Sequence, residues 1–213
     1  MIVTDAVGRY LQQLRAEPDP VLAEMEDHAA RDGIPIVVPQ TGALLHVLAL
    51  ACAARRVVEV GTAIGVSTLY LARALPADGK VVSFDVDSGR QDAARAYLER
   101  AGVADRCDLR LQDAREGLAE LDRAAFDMAF IDGAKTQYSD YFERLEPLLR
   151  NGAMLVVDNV LMGGTVAEGR SDGEWTSDQI KGARAFNERL LLSEGLTGTV
   201  TPVGDGVLIA VKR

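Results

Sequence analysis

The chain is poor in the side chains that ligate soft metals or cross-link secreted folds. Its 213 residues include two cysteines and two histidines. Cys52 falls in an apolar helical stretch and Cys107 at a strand start. Neither has metal-ligand spacing or a pairing pattern, so both read as buried reduced thiols, as expected of a cytoplasmic chain. His28 and His46 sit on expected helices with no nucleophile or ligand partner by spacing, and no role is assigned to them. No apolar run reaches the ~20 residues of a membrane span. The longest candidate, residues 41–54, contains His46, runs into Arg55-Arg56 and reads as a core-packed helix. No basic segment precedes an apolar one at the N-terminus, so no signal peptide is expected. Positive charge is also short. Lys and Arg number 23 against 32 Asp and Glu, giving a net charge of −9. An acidic surface repels phosphate backbones and argues against general nucleic-acid binding. There is no internal repeat and no shift of composition. With 48% hydrophobic residues, one α/β domain with a sizeable core is expected. Residues 1–54 would be N-terminal helices and 55–213 the core.

What is present is an alternation. Helices are expected at 6–16, 20–31 and 41–54, with Pro18-Asp19-Pro20 breaking the first from the second and Gly33 ending the second. From Val57 onward, strands are expected at 57–61, 81–86, 107–112, 126–132 and 153–158. Helices are expected at 67–75, 89–101, 114–121, 137–149 and 177–193. Near-continuous apolar strands alternating with helices predict a doubly wound, mostly parallel sheet. The end departs from the pattern. Residues 196–203 and 207–212 are strand-like, and Gly204-Asp205-Gly206 between them predicts a closing antiparallel hairpin. Residues 160–177, glycine-rich and charged, are expected to form a lid.

The acids sit where such a sheet exposes its ligand edge. Val57-Val58-Glu59-Val60 runs into Gly61-Thr62-Ala63-Ile64-Gly65, a glycine turn opening a helix. A dinucleotide turn needs glycine where this chain has Ala63, so that backbone can approach a pyrophosphate. Glu59 would also repel a pyrophosphate but attract a sulfonium and an ammonium. The turn therefore favours S-adenosylmethionine. Asp85, ending the second strand, suits a ribose diol, and Asp113-Ala114 ends the third strand where an adenine edge would lie.

Asp132, Asp158 and Asn159 end two further strands and offer carboxylate and amide oxygens. Hard donors without thiolate or imidazole suit Mg²⁺, Ca²⁺ or Mn²⁺ and leave coordination positions for two neighbouring substrate hydroxyls. A vicinal dihydroxy-aromatic would fill them. Lys135, three residues after Asp132, is the candidate general base, because an ammonium is disfavoured beside a bound cation.

Taken together, several runs resemble the cation-dependent O-methyltransferases, the catechol and caffeoyl-CoA O-methyltransferase-like enzymes in their short bacterial form. They are Val58-Glu59-Val60-Gly61-Thr62, Ser67-Thr68, Phe84-Asp85, Asp132-Gly133-Ala134-Lys135 with Tyr138, Asp158-Asn159-Val160-Leu161 and Gly204-Asp205-Gly206. The resemblance runs from about Ile36 to Arg213. It implies a class I S-adenosylmethionine-dependent methyltransferase fold, Rossmann-like, with a seven-stranded sheet whose last strand is antiparallel. It implies that Val37 and Gly61 line the cofactor site, Glu59 lies beneath the methionine part, and Ser67 binds its carboxylate. Asp85 would hold the ribose, and Asp113 and Ala114 the adenine. Asp132, Asp158 and Asn159 would bind the cation, with Asp132 also touching the cofactor, and Lys135 would be the base. A homodimer is implied too. Two departures stand out: Gly133-Ala134 where plant relatives have Ala-Asp, and Met162 where many bacterial relatives have tryptophan.

These residues predict S-adenosylmethionine-dependent O-methylation of a small catechol-like acceptor. The alternatives are methylation of a hydroxylated uridine in transfer RNA, a non-catalytic S-adenosylmethionine-binding protein, and, more weakly, a dehydrogenase.

Overall fold

The computed structural model describes residues 4–171, 173 and 175–213. Seven strands form one sheet: β1 (Arg56–Val60), β2 (Lys80–Asp85), β3 (Cys107–Leu111), β4 (Phe126–Ile131), β5 (Leu149–Val157), β6 (Leu196–Thr201) and β7 (Val207–Lys212). Their order is β3-β2-β1-β4-β5-β7-β6. β7 runs antiparallel to both of its neighbours, and the other pairings are parallel. The expected sheet, its last strand included, is the one observed.

Successive strand residues point to opposite faces, and both faces are covered. Val57, Val81 and Phe130 pack on one side with Leu45, Leu69 and Leu98. Those three come from α3 (Pro39–Ala51), α4 (Val66–Ala74) and α5 (Ser88–Arg100). Val58, Ala129 and Leu155 pack on the other side with Phe142, Phe186 and Leu190. These belong to α7 (Tyr138–Leu145) and α9 (Ser177–Leu191). Two-sided burial explains why the strands read as unbroken apolar runs.

The local signals hold. In α2 (Pro20–Asp32), Asp19 accepts from the Val21 and Leu22 amides, and Gly33 closes the helix at φ +64°. The Thr176–Gln179 capping box starts α9. Only α1 (Asp5–Gln13) lies on the surface without a buried residue among those described.

Three boundaries differ most from expectation. The helix expected over 137–149 stops at Leu145, and a tighter turn carries Pro147, which has no N–H for a helical bond. β5 then begins at Leu149, earlier than the expected 153. The helix expected over 114–121 shortens to α6 (Ala114–Gly117) and one tight turn. Within the expected lid, a turn at Met162–Gly164 leads into α8 (Thr165–Glu168), and Val160, Met162 and Val166 are buried. Asp172 and Glu174 of that segment lie outside the described residues.

Register decides where the site forms. Val60 of β1 pairs with Phe84 of β2 and with Ile131 of β4, and Ile131 pairs with Val157 of β5. The turns after these four strands therefore open on one edge, across the point between β1 and β4 where strand order reverses.

Candidate functional site

The glycine turn is held by its neighbours. Gly61 has φ +100°, and a Cβ there would lie 2.2 Å from the carbonyl oxygen of Asp132. Its amide and that of Thr62 donate to the Phe84 carbonyl at 2.9 and 3.2 Å. The Ala63 amide donates to Asp85 Oδ2 at 2.7 Å and the Asp87 amide to Asp85 Oδ1 at 3.0 Å. Asp85 thus fixes the turn and keeps further lone pairs for a ligand.

Beneath the turn lies Glu59, with no exposed surface. Its Oε2 accepts from Thr68 Oγ1 at 2.5 Å and from Ser83 Oγ at 2.6 Å. Its Oε1 has no hydrogen-bond partner among the described residues. Burial pushes its pKa up to about 7, against the pull of the Ser83, Thr68 and Ser67 hydroxyls. A buried carboxyl with one vacant oxygen is costly on its own and is relieved by a cationic group above it. The residues present therefore fit a cationic nucleoside. Thr68 and Ser83 were missed by sequence reasoning. Their signal was a polar residue inside each of two apolar runs, Val66-Ser67-Thr68-Leu69 and Val81-Val82-Ser83-Phe84.

Above the turn is a cleft of about 410 Å³. Val37, Gly61, Ser67, Asp85, Ala114 and Asp132 are among its walls, as is Asp113. Glu59 is absent from the walls and lies buried next to them. Asp113 caps α6, and its carboxylate meets Arg115 Nη2 at 2.6 Å. The Arg115 guanidinium holds that carboxyl below the usual range.

Beyond β4 and β5 the acids converge. Lys135 Nζ donates to Asp132 Oδ1 at 2.7 Å. Asp158 is 4% exposed and accepts from the Asn159 amide at 2.8 Å. Burial, and after it the Asp132 charge, pushes the Asp158 pKa up to about 7. Asn159 holds φ +59°, and the Tyr138 hydroxyl donates to the Asp158 carbonyl at 3.1 Å. No group of three or more His, Cys, Asp or Glu side chains disposed for a metal occurs among the described residues. The set here is two carboxylates and one amide. That chemistry fits a hard divalent cation, and a positive charge would relieve the mutual repulsion of the two acids.

A second cavity, of about 390 Å³, shares Lys135 with the first. Asn159 and Met162 border it, together with Gly182 and Phe186 of α9. This contribution of α9 was not foreseen from the sequence. The packing of α9 against α8, β6 and the tight turn at Lys135–Gln137 creates it.

Comparison with known proteins shows the family. Residues 12–213 match the family pattern described as O-methyltransferase. The chain is 37% identical to a catechol O-methyltransferase of Mycobacterium tuberculosis, over 97% of this chain and 95% of that one. It is 32% identical to a catechol O-methyltransferase of Niastella koreensis, over 99% and 98% of the two chains. It superposes on an O-methyltransferase of Streptomyces achromogenes, solved in complex with SAM, with a TM-score of 0.86. That match has 33% identity and covers 98% of this chain and 96% of the other.

Proposed function

Given that the chain belongs to the O-methyltransferase family and is an S-adenosylmethionine-dependent enzyme, we propose that it methylates one hydroxyl of a small catechol-like aromatic in a reaction that requires a divalent cation, Mg²⁺ first among the candidates. The observation that carries this reading is the pairing of two features on one sheet edge. One is the cleft above a buried, half-vacant Glu59; the other is the Asp132, Asp158 and Asn159 oxygens beside Lys135.

In this reading Val37, Gly61, Ser67, Asp85, Asp113 and Ala114 hold the cofactor, and Glu59 lies under its positive end. Asp132, Asp158 and Asn159 would hold the cation, with the Asp132 backbone against Gly61 tying the two halves together. Bound S-adenosylmethionine supplies the methyl electrophile, and a bound cation supplies the charge that acidifies the hydroxyl it holds. With a cation held at Asp132 the Lys135 ammonium would be disfavoured, and as the neutral amine Lys135 would receive the hydroxyl proton at Nζ. Its Nζ lies over the ring of Tyr138, 5.5 Å from the centroid. Tyr138 in turn is fastened to the Asp158 carbonyl, so base and ligand carbonyl share one anchor. The chain's contribution is position and electrostatics.

Two relatives are named for catechol, and the net charge of −9, with three of the candidate groove cations facing acids, favours the small acceptor over transfer RNA. Arg15 is tied to Glu26 at 2.6 Å, Lys181 to Asp178 at 3.6 Å and Arg170 to Glu168 at 3.9 Å. A homodimer is part of the proposal. Val7, Tyr10, Leu11 and Leu14 of the α1 segment are each more than 40% exposed, and so short a helix is marginal in water without a packing partner. No described helix is long and apolar enough to cross a membrane.

The test is methyl transfer from S-adenosylmethionine to catechol, with Mg²⁺ and with EDTA. Turnover that EDTA abolishes and Mg²⁺ restores is expected. Turnover indifferent to EDTA refutes the cation role, and no turnover on any catechol refutes the acceptor class.

A further inference from the structure

The second cavity carries an unusual residue. Gly182 sits mid-way along α9, a helix of 15 residues. Glycine is the poorest helix former after proline, and a mid-helix glycine needs a reason. Neither usual reason applies here. Gly182 is not among the residues of positive φ, and a Cβ built on it would meet nothing within 4 Å. It borders the cavity of about 390 Å³ that also touches Lys135 and Asn159. What the glycine does is leave that space empty.

The rest of the cavity says what it would take. Tyr138 and Phe186 meet edge to face, with centroids 5.7 Å apart, and Met162 is 2% exposed. These are rigid apolar walls, and Thr136, Ser139, Thr176, Gln179 and Asn187 add neutral polar groups to the lining. Lys135 and Asp178 are the charged residues that border it. Lys135 is engaged by Asp132 at 2.7 Å and Asp178 by Lys181 at 3.6 Å. No uncommitted cation among the described lining residues is left to meet a carboxylate or phosphate.

We infer that Gly182 is a specificity-determining residue: the slot it holds open receives a neutral, ring-sized arm carried by the acceptor, whose hydroxyls lie at Lys135 and Asn159. The inference rests on the proposed methylation of a catechol-like acceptor and names its class more narrowly. The acceptor is an extended, uncharged catechol. Size-filling substitution at Gly182 closes the slot while leaving the hydroxyl end untouched. Because the added side chain has open space and improves helix propensity, it does so without cost to folding.

The experiment compares catechol with 4-phenylcatechol on the wild-type chain, Gly182→Ala and Gly182→Leu. Affinity is read by calorimetry with S-adenosylhomocysteine and Mg²⁺ present, alongside kcat/KM and the melting temperature. Burying one extra aromatic ring should make the wild type bind 4-phenylcatechol about tenfold or more tighter than catechol. Gly182→Leu should abolish that preference, with catechol binding, S-adenosylhomocysteine binding and melting temperature retained. Gly182→Ala should fall between. A wild type without the preference, or a Gly182→Leu variant that keeps it, overturns the inference. Absence of methyl transfer to both compounds would break the underlying reading, and the ratio of affinities would still decide the slot.

Discussion

Replacing Glu59 by Gln should make the cofactor-free protein more stable and the enzyme worse. The carboxyl is fully buried, with its pKa pushed up to about 7 from an ordinary 4.5, chiefly by desolvation. A raised carboxylate pKa means that the folded state holds the proton more tightly than the unfolded state. The stabilisation is therefore complete below about pH 4.5 and is lost as pH rises through about 7. A difference of about 2.5 units corresponds to roughly 3 kcal/mol. Glutamine keeps the shape, accepts from Thr68 or Ser83 and never ionises. The stability gap between Glu59→Gln and wild type should thus open from near zero at pH 4.5 to roughly 3 kcal/mol above pH 7. At about 2–4 °C per kcal/mol for a chain of this size, that is a shift of several degrees. The Asp158 titration occurs in both proteins and cancels in the difference. Urea denaturation across pH 4.5–8.5 measures the gap. Calorimetry of S-adenosylmethionine binding measures the other half. Loss of a charge-assisted contact should weaken affinity by about 10- to 100-fold. Wild type should release a proton on binding near pH 7, and the variant none. A stability gap that does not vary with pH, or a variant less stable throughout, would refute the assignment of Glu59 as a carboxyl stored near neutrality for a cationic ligand.

Asp158→Asn keeps the size of the side chain and removes one of two acids; methyl transfer should fall by at least about 100-fold, with S-adenosylhomocysteine affinity nearly unchanged, and equal loss of both would reject a metal role. Lys135→Met should lower kcat by about 10²- to 10⁴-fold with little change in KM for the acceptor, the signature of a lost base in steady-state kinetics. Gly61→Ala drives a Cβ against the Asp132 carbonyl and strains a positive φ, so cofactor binding should disappear and stability should drop by about 1–3 kcal/mol; a variant that binds normally would show that the close approach has no consequence. Light scattering should give twice the chain mass if α1 packs on a second copy, and a Leu11→Glu, Leu14→Glu variant should then run as a monomer.

Much of this architecture could be read along the chain. Runs such as Val57-Val58 and Ala129-Phe130-Ile131 are apolar on both faces because parallel strands are covered on both sides, so their burial is written locally. The Gly204-Asp205-Gly206 turn announced the antiparallel end for the same kind of reason, a backbone geometry that few residues accept. The acids at strand ends were visible because parallel topology sends every strand's C-terminus to one edge. Local signals were weaker where tertiary contacts outvote them. Pro147 cut a helix that propensity extended, and the burial of Val160, Met162 and Val166 within the expected lid segment has no local signal.

Other features depend on atoms far apart in sequence, and no local pattern encodes them. That Glu59 keeps one oxygen vacant follows from Ser83, on a neighbouring strand, and Thr68, on the helix beyond the glycine turn, both choosing the other oxygen. That Asp132 lends its charge to Asp158 follows from β4 and β5 lying side by side. That Gly182 leaves a space beside Lys135 follows from where α9 docks. Periodicity and turn chemistry act over a few residues, and they determined the elements and the edge. Desolvation, Coulomb interaction and packing act through space, and the structure alone decided which of those edge residues hold stored charge and which leave room for a substrate.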